Sequence, residues 1–168
     1  MKEGFHLEHV GAEDPGDESR MSGFGHLALF QCQVEYHFNT EDMSVKEAEA
    51  YIDTVLNALP AETIDEICER ACEWKIEKMS SDTVDYPIGL AEASGREILG
   101  FMSVGDVELY RNPYDRNDQT FGAILGGGTE WDPENGMEII IRGNKVLEVR
   151  EYLGYGEYAI WSEEEGAE

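Results

Sequence analysis

Hydrophobic and polar residues alternate strictly along one early segment of the chain, from Ala28 to Phe38. A period of two residues is typical of a strand that has one face in the core and the other face towards solvent. We therefore predict a half-buried strand here, with its apolar face covered by helices. The apolar positions are Ala28, Phe30, Cys32, Val34, Tyr36 and Phe38, and the polar positions are Gln31, Gln33, Glu35 and His37.

The pattern changes to a helical period after this strand. Ser44 and Glu47 have the spacing of a capping box, which predicts a helix from there to Leu59 that Pro60 ends. A second helix follows, and together the two predict a helical hairpin with one apolar face on each helix. Thr63 and Glu66 repeat the capping-box spacing, and Ile64, Ile67, Ala71, Trp74 and Met79 recur at intervals of three or four residues.

β-branched and aromatic residues, punctuated by glycine, dominate the last third of the chain and predict a series of antiparallel strands. Gly143-Asn144 is a two-residue hairpin connection between the last two of them. The whole pattern indicates an α+β fold, an antiparallel sheet of about five strands with a helical hairpin packed on one face. The elements predicted in this part are a short helix over 96–102, strands Asp106–Arg111, Thr120–Leu125, Met137–Arg142 and Lys145–Arg150, and a short edge strand over Tyr155–Trp161.

A length of 168 residues fits one domain with short extensions. Residues 1–22 are acidic and contain Gly and Pro, which predicts a flexible or loosely docked N-terminal arm. The single α+β domain is expected over 23–161. Residues 162–168 read as a solvated acidic tail.

The charge is strongly negative, because 37 Asp and Glu face 12 Lys and Arg, for a formal net charge of −25. This excludes direct binding to nucleic acid and to anionic membranes, both of which need clustered cations. With no signal peptide, no long apolar run and three Cys that read as reduced thiols, we expect a cytoplasmic protein. An acidic surface speeds association with basic proteins, although adaptation to solubility or salt stays open as the alternative.

The residue spacings of common catalytic and metal sites are missing. Gly126-Gly-Gly128 follows a strand but lacks the Lys-Ser/Thr of a phosphate loop, and we interpret it as a bulge or wide turn. Asp115, Asn117 and Asp118 lack the frame of an EF-hand. We therefore expect no catalytic residue, no cofactor and no metal. Cys68 and Cys72 would share a helix face and read as small buried hydrophobes, because no finger-like spacing joins them to Cys32, His6, His9, His26 or His37.

A short motif and the hairpin that follows it resemble a known group of domains. Trp131-Asp-Pro-Glu-Asn-Gly136, followed by a hairpin that ends in Val146-Leu-Glu-Val149, resembles small uncharacterised bacterial domains with a Trp-Asp-x-Glu-x-Gly motif. The resemblance spans about residues 90–150, and Asn135 stands where that group usually has a His. Members look like components of toxin and immunity gene neighbourhoods, which implies an immunity protein that inhibits a toxin.

The motif also has a physical interpretation of its own. The carboxylate of Asp132 can accept hydrogen bonds within an Asx-type turn, Gly136 permits a positive φ, and Trp131 would pack beneath. Two interpretations stay open, a rigid connection between strands or a contact to a partner through Asp132 and Glu134.

These observations lead to a functional hypothesis. We expect a cytoplasmic, non-catalytic inhibitor that binds a basic partner, namely a contact-dependent or polymorphic bacterial toxin domain. The alternative is a housekeeping or regulatory module that binds a protein or a small cationic ligand. Carboxylates would steer the partner and aromatic side chains would hold it. The predicted partner-binding residues are Glu130, Asp132, Glu134, Tyr152, Tyr155, Tyr158 and Trp161.

Overall fold

A seven-stranded sheet, whose strands lie side by side in chain order, organises the molecule. The computed structural model describes residues 4–81, 85–115, 117–154, 156, 160 and 161. All neighbouring strands are antiparallel except the central pair, which is parallel. Two antiparallel meanders are thus joined by one crossover. The strands are β1 (Glu8–Asp14), β2 (Asp17–Leu27), β3 (Cys32–Asn39), β4 (Met102–Arg111), β5 (Phe121–Thr129), β6 (Met137–Arg142) and β7 (Lys145–Arg150).

The described part of the crossover from β3 to β4 contains four helices. They are α1 (Val45–Thr54), α2 (Ala61–Ser80) and two 3-10 helices, Leu56–Ala58 and Gly95–Phe101. Across the described residues, no helix combines the length and the apolar character needed to cross a membrane. The helices and the seven-stranded sheet make the fold α+β. The antiparallel C-terminal strands agree with the sequence prediction, whereas the parallel pairing of β3 with β4 was not predicted.

The two α-helices begin differently from each other. Ser44 caps α1 as predicted, since its Oγ accepts from the Glu47 amide at 3.1 Å and its own amide donates to Glu47 Oε1 at 2.9 Å. The capping box predicted at Thr63 is wrong, because α2 begins directly after Pro60. The Thr63 hydroxyl instead donates to the Asn144 carbonyl at 2.8 Å. It thereby ties α2 to the turn between β6 and β7.

Both α-helices contact the sheet. α2 contacts β7 and the second 3-10 helix, and α1 reaches the sheet through Tyr51. The Tyr51 hydroxyl donates to the Gly143 carbonyl at 2.9 Å, and its ring meets the Phe121 ring edge-on at 5.8 Å. The predicted helical hairpin is therefore better described as two helices laid over one sheet face, since the first 3-10 helix and Pro60 separate them.

The alternation that predicts β3 is confirmed for its second half. Val34, Tyr36 and Phe38 are buried in the main core. The strand begins only at Cys32, however, because residues 28–31 form the turn after β2 and Gln31 has a φ of +50°. Phe30 is a partly buried turn residue rather than part of the predicted core face. Apolar residues occupy every second position through this turn as well as through the strand. The sequence pattern therefore placed the start of β3 too early.

The predicted flexible arm is instead a β-hairpin at the edge of the sheet. β1 and the start of β2 occupy most of residues 1–22, and Asp14 pairs with Asp17 around Pro15-Gly16. Arg20 holds the hairpin to the sheet, with its guanidinium 3.3 Å from Glu13 and 3.0 Å from Glu108. The Pro-Gly pair that suggested a break in regular structure is the hairpin turn, so the sheet has seven strands rather than about five.

Candidate functional site

The sheet face opposite the helices is partly open. Ile160 and Trp161 pack on Ile140 and cover one part of it, with Ile124 beside them. Next to this cover lies a cleft of about 750 Å³. Residues from β1, β3, β4 and β5 line it, together with the turn before β6 and the segment after β7.

The cleft is acidic. Four carboxylates line it, those of Glu13, Asp106, Glu108 and Glu134, and none of its described lining residues is Lys or Arg. Arg20 pairs with Glu13 and Glu108 at the margin. Burial opposes the charge of Arg20, but Glu108 and Glu13 outweigh it and raise the pKa of the guanidinium. Within the described ranges, Asp106 and Glu134 form no ion pair with Lys or Arg, so they leave the cleft with a negative charge.

His37 lies at the centre of the acidic groups. Its Nε2 is 3.3 Å from Asp106 Oδ1 and 3.7 Å from Glu35 Oε1, and its Nδ1 is 3.1 Å from Glu13 Oε1. Glu35 and His37 are two residues apart on β3 and therefore share the face away from the helices. The parallel register places Asp106 of β4 beside Glu35. Only 14% of the His37 side chain is exposed.

Glycines keep the strands close together at one end of the cleft. The triplet Gly126–Gly128 lies within β5, opposite a bulge in β4 between Val104 and Asp106. It is therefore not a wide turn, and the irregularity is in the neighbouring strand. A side chain at Gly127 would overlap the backbone of Ser103 and Val104. The close approach of β4 and β5 here requires a residue without Cβ.

Replacing Gly127 by Ala is expected to lower the free energy of unfolding by about 3 kcal/mol, the upper end for overpacking, because backbone atoms must move. Gly128→Ala is the matched control, since no atom lies within 4 Å of the site of its Cβ. Urea denaturation of both variants measures the difference. Equal midpoints for the two variants would show that β4 and β5 separate easily here.

The structure brings two of the predicted partner-binding residues into the cleft, Glu134 and Tyr152. Tyr152 is 62% exposed. Glu130 is exposed at the end of β5, outside the cleft, and its amide donates to the Phe101 carbonyl at 2.9 Å. Trp161 is buried against the sheet. Tyr155 and Tyr158 lie outside the described residues, as does most of the predicted edge strand over 155–161. Partner binding itself stays a prediction.

The Trp131–Gly136 turn has the structure of a rigid connection. The Trp131 ring is buried and meets the Trp74 ring edge-on at 5.2 Å. Buried Asp132 accepts a hydrogen bond from Asn135 Nδ2 at 2.7 Å and lies 3.9 Å from Lys78 Nζ. Gly136 has a φ of +70°. The Asp132 carboxylate is thus buried and interacts with groups of the same chain. Glu134 is the acidic side chain of this turn that lines the cleft.

The remaining sequence candidates have local structural roles. Burial raises the pKa of Cys68 to about 11, so its thiol stays protonated at neutral pH and fits the prediction of a small buried hydrophobe. Asp115 and Asp118 accept hydrogen bonds from the amides of Asn117 and Thr120, at 3.0 and 2.9 Å. These two carboxylates shape the loop after β4.

Sequence reasoning missed the group around His37. The alternation did place Glu35 and His37 together on the solvent side of the strand. Glu13 and Asp106 could not be added, because they come from a predicted arm and from a strand whose parallel register has no local signal. The group forms only when β1, β3 and β4 come together in the folded sheet.

Comparison with known proteins gives one result. No curated protein and no solved structure matches the chain. A family described as a domain of unknown function matches residues 16–156, which include six of the seven strands, the helices of the crossover and most of the cleft. The chain therefore belongs to the family of domains of unknown function DUF6985.

Proposed function

We propose that the protein is a cytoplasmic, non-catalytic inhibitor that binds a basic protein, a cognate bacterial toxin domain, at the acidic cleft. The observation that carries the proposal is an open, concave sheet face where Asp106 and Glu134 have no Lys or Arg partner in the described part of the chain. Lys and Arg side chains of the bound protein would form ion pairs with these two carboxylates.

The cleft offers the two kinds of contact that such an interface needs. Carboxylates attract a basic surface over distance and raise the association rate. Tyr152, which lines the cleft and is 62% exposed, provides apolar area beside the charge. A toxin that acts on nucleic acid needs a cationic site, and carboxylates that take the places of the phosphates would occlude such a site.

A small cationic ligand is the second candidate. A cleft of about 750 Å³ lies within the range of about 300–1,000 Å³ that is usual for small-molecule sites. A polyamine is a ligand of this chemistry, because it presents several ammonium groups to several carboxylates. Thermal unfolding with and without spermidine tests this candidate on the free protein.

The protein-partner proposal predicts separate effects on the two rate constants. Glu134→Lys is expected to slow association about tenfold at low salt, because it reverses a charge in the cleft. Tyr152→Ala is expected to speed dissociation about tenfold, because it removes an exposed aromatic contact. Surface plasmon resonance measures both rates with the partner recovered by pull-down from the source cells.

Glu69→Lys is the matched control for Glu134→Lys. Glu69 belongs to an acidic surface on α2 and is also exposed, but it lies on the other side of the sheet. Unchanged rates in both cleft variants would contradict the proposal, as would an equal slowing by Glu69→Lys. A toxin reading frame next to the gene would identify the partner class, and coexpression would then test inhibition directly.

A further inference from the structure

We propose that Glu35, His37 and Asp106 form a binding site for one divalent transition-metal ion, with zinc as the ion that fits best. The three side chains project from adjacent strands on the open face of the sheet. This inference goes beyond the proposed function and does not rest on it, because the site needs no partner.

The distances between the donor atoms fit a small ion. Donors that each lie about 2.0 Å from a tetrahedral zinc are about 3.3 Å from one another. His37 Nε2 is 3.3 Å from Asp106 Oδ1 and 3.7 Å from Glu35 Oε1. One ligand atom from each of the three residues lies within 4.8 Å of the others. The two distances from His37 Nε2 are therefore close to the separation that a tetrahedral ion requires.

Glu13 is placed to orient the histidine. Its Oε1 lies 3.1 Å from His37 Nδ1, the ring nitrogen that faces away from Asp106. A histidine that binds a metal usually donates its other ring N–H to a carboxylate, which fixes the tautomer with the coordinating nitrogen free. Nδ1 is buried, and no acceptor among the described residues meets hydrogen-bond geometry with it. Glu13 is the carboxylate within reach, and a change in orientation of its side chain or of the ring would complete the hydrogen bond. Arg20 in turn holds Glu13 at 3.3 Å.

The chemistry of the donors selects the class of ion. An imidazole nitrogen favours zinc and similar transition metals, whereas magnesium and calcium prefer sites built of oxygen alone. Like charges that face each other on adjacent strands repel, and Glu35 lies directly beside Asp106. A divalent ion would remove this repulsion. Asp106 is 65% exposed, so the ion would keep an open position towards the cleft.

Isothermal titration of the full chain with Zn²⁺ tests the site. We expect one ion per chain, with affinity reduced at least tenfold by His37→Ala and by Asp106→Asn. Glu13→Gln is expected to weaken binding about tenfold as well, the usual effect of losing a carboxylate behind a metal-bound histidine. Mg²⁺ is expected to bind at least tenfold more weakly than Zn²⁺.

Glu69→Gln is the control, because Glu69 belongs to a cluster of carboxylates on α2 in which no histidine lies. It is expected to leave Zn²⁺ affinity unchanged. Asp106→Asn changes an exposed side chain and keeps its shape, so circular dichroism is expected to show native folding. Zn²⁺ binding that survives both His37→Ala and Asp106→Asn would overturn the proposal, and so would the absence of saturable binding. Equal affinities for Zn²⁺ and Mg²⁺ would overturn the assignment to a transition metal.

Discussion

Replacing Phe38 by Ala is expected to lower the free energy of unfolding by about 3–5 kcal/mol, the usual cost of truncating a fully buried Phe. Phe38 lies at the end of β3 with none of its surface exposed, opposite Met21 of β2. Its ring belongs to the core between the sheet and the helices. Truncation would leave a cavity that the surrounding strands cannot close. Urea denaturation, analysed as a two-state transition, measures the loss.

Phe30→Ala is the informative comparison for Phe38→Ala. The alternating pattern assigns Phe30 to the same face as Phe38, but the structure places it in the turn, where it is only partly buried. Its truncation is expected to cost less than half as much. Equal losses in the two variants would contradict the start of β3 at Cys32 and would favour the longer strand that the sequence predicts.

Lys75→Met is expected to cost about 2–4 kcal/mol, the range for buried acceptors that lose their donor, although it replaces a charged residue by an apolar one of similar length. Lys75 is 2% exposed. Its ammonium donates to the carbonyls of Leu90, Ala91 and Ala93 at 3.1, 3.3 and 2.6 Å. Methionine would fill the space but would take the ammonium donor away from all three carbonyls, and the buried Ala93 carbonyl would lose the shortest of these bonds. The Leu90 carbonyl would keep the Ala93 amide as a donor at 3.1 Å. The segment before the second 3-10 helix would then lose its attachment to α2.

Lys145→Met controls for the loss of a positive charge in so acidic a protein. Lys145 begins β7 and is exposed, so its replacement is expected to change stability by less than about 0.5 kcal/mol. Thermal unfolding compares the two variants, and limited proteolysis should cut the 85–94 segment faster in Lys75→Met. A Lys75→Met protein as stable as Lys145→Met would show that water replaces the ammonium group at the three carbonyls.

Elements that depend on neighbouring residues were predictable from the sequence. The bounds of β6 and β7 agree with the prediction, because a two-residue Gly143-Asn144 turn between β-branched runs leaves little freedom of register. The cap at Ser44 was equally local. The helices could also be assigned to one sheet face, because the apolar side chains of β3 all point the same way.

The remaining parts depend on contacts that are distant in sequence. The β1–β2 hairpin is held by Arg20, whose partner Glu108 lies on β4, so composition alone suggested an arm. Glu35 and Asp106 pair across β3 and β4, although the entire helical crossover separates them in sequence. No local pattern in the sequence indicates this pairing. The sequence could place Glu130, Asp132 and Glu134 near one turn, but it could not show that only Glu134 lines the cleft.

The parallel pairing of β3 with β4 has a consequence for folding. Each antiparallel meander can form from neighbouring hairpins, but the seam between them closes only after the crossover has been ordered, and such distant contacts form slowly. Glu35, His37 and Asp106 span that seam. A ligand bound there would select the closed sheet and retard its opening. Occupancy of the cleft would therefore appear as slower amide hydrogen exchange along β3 and β4, far beyond the residues that touch the ligand.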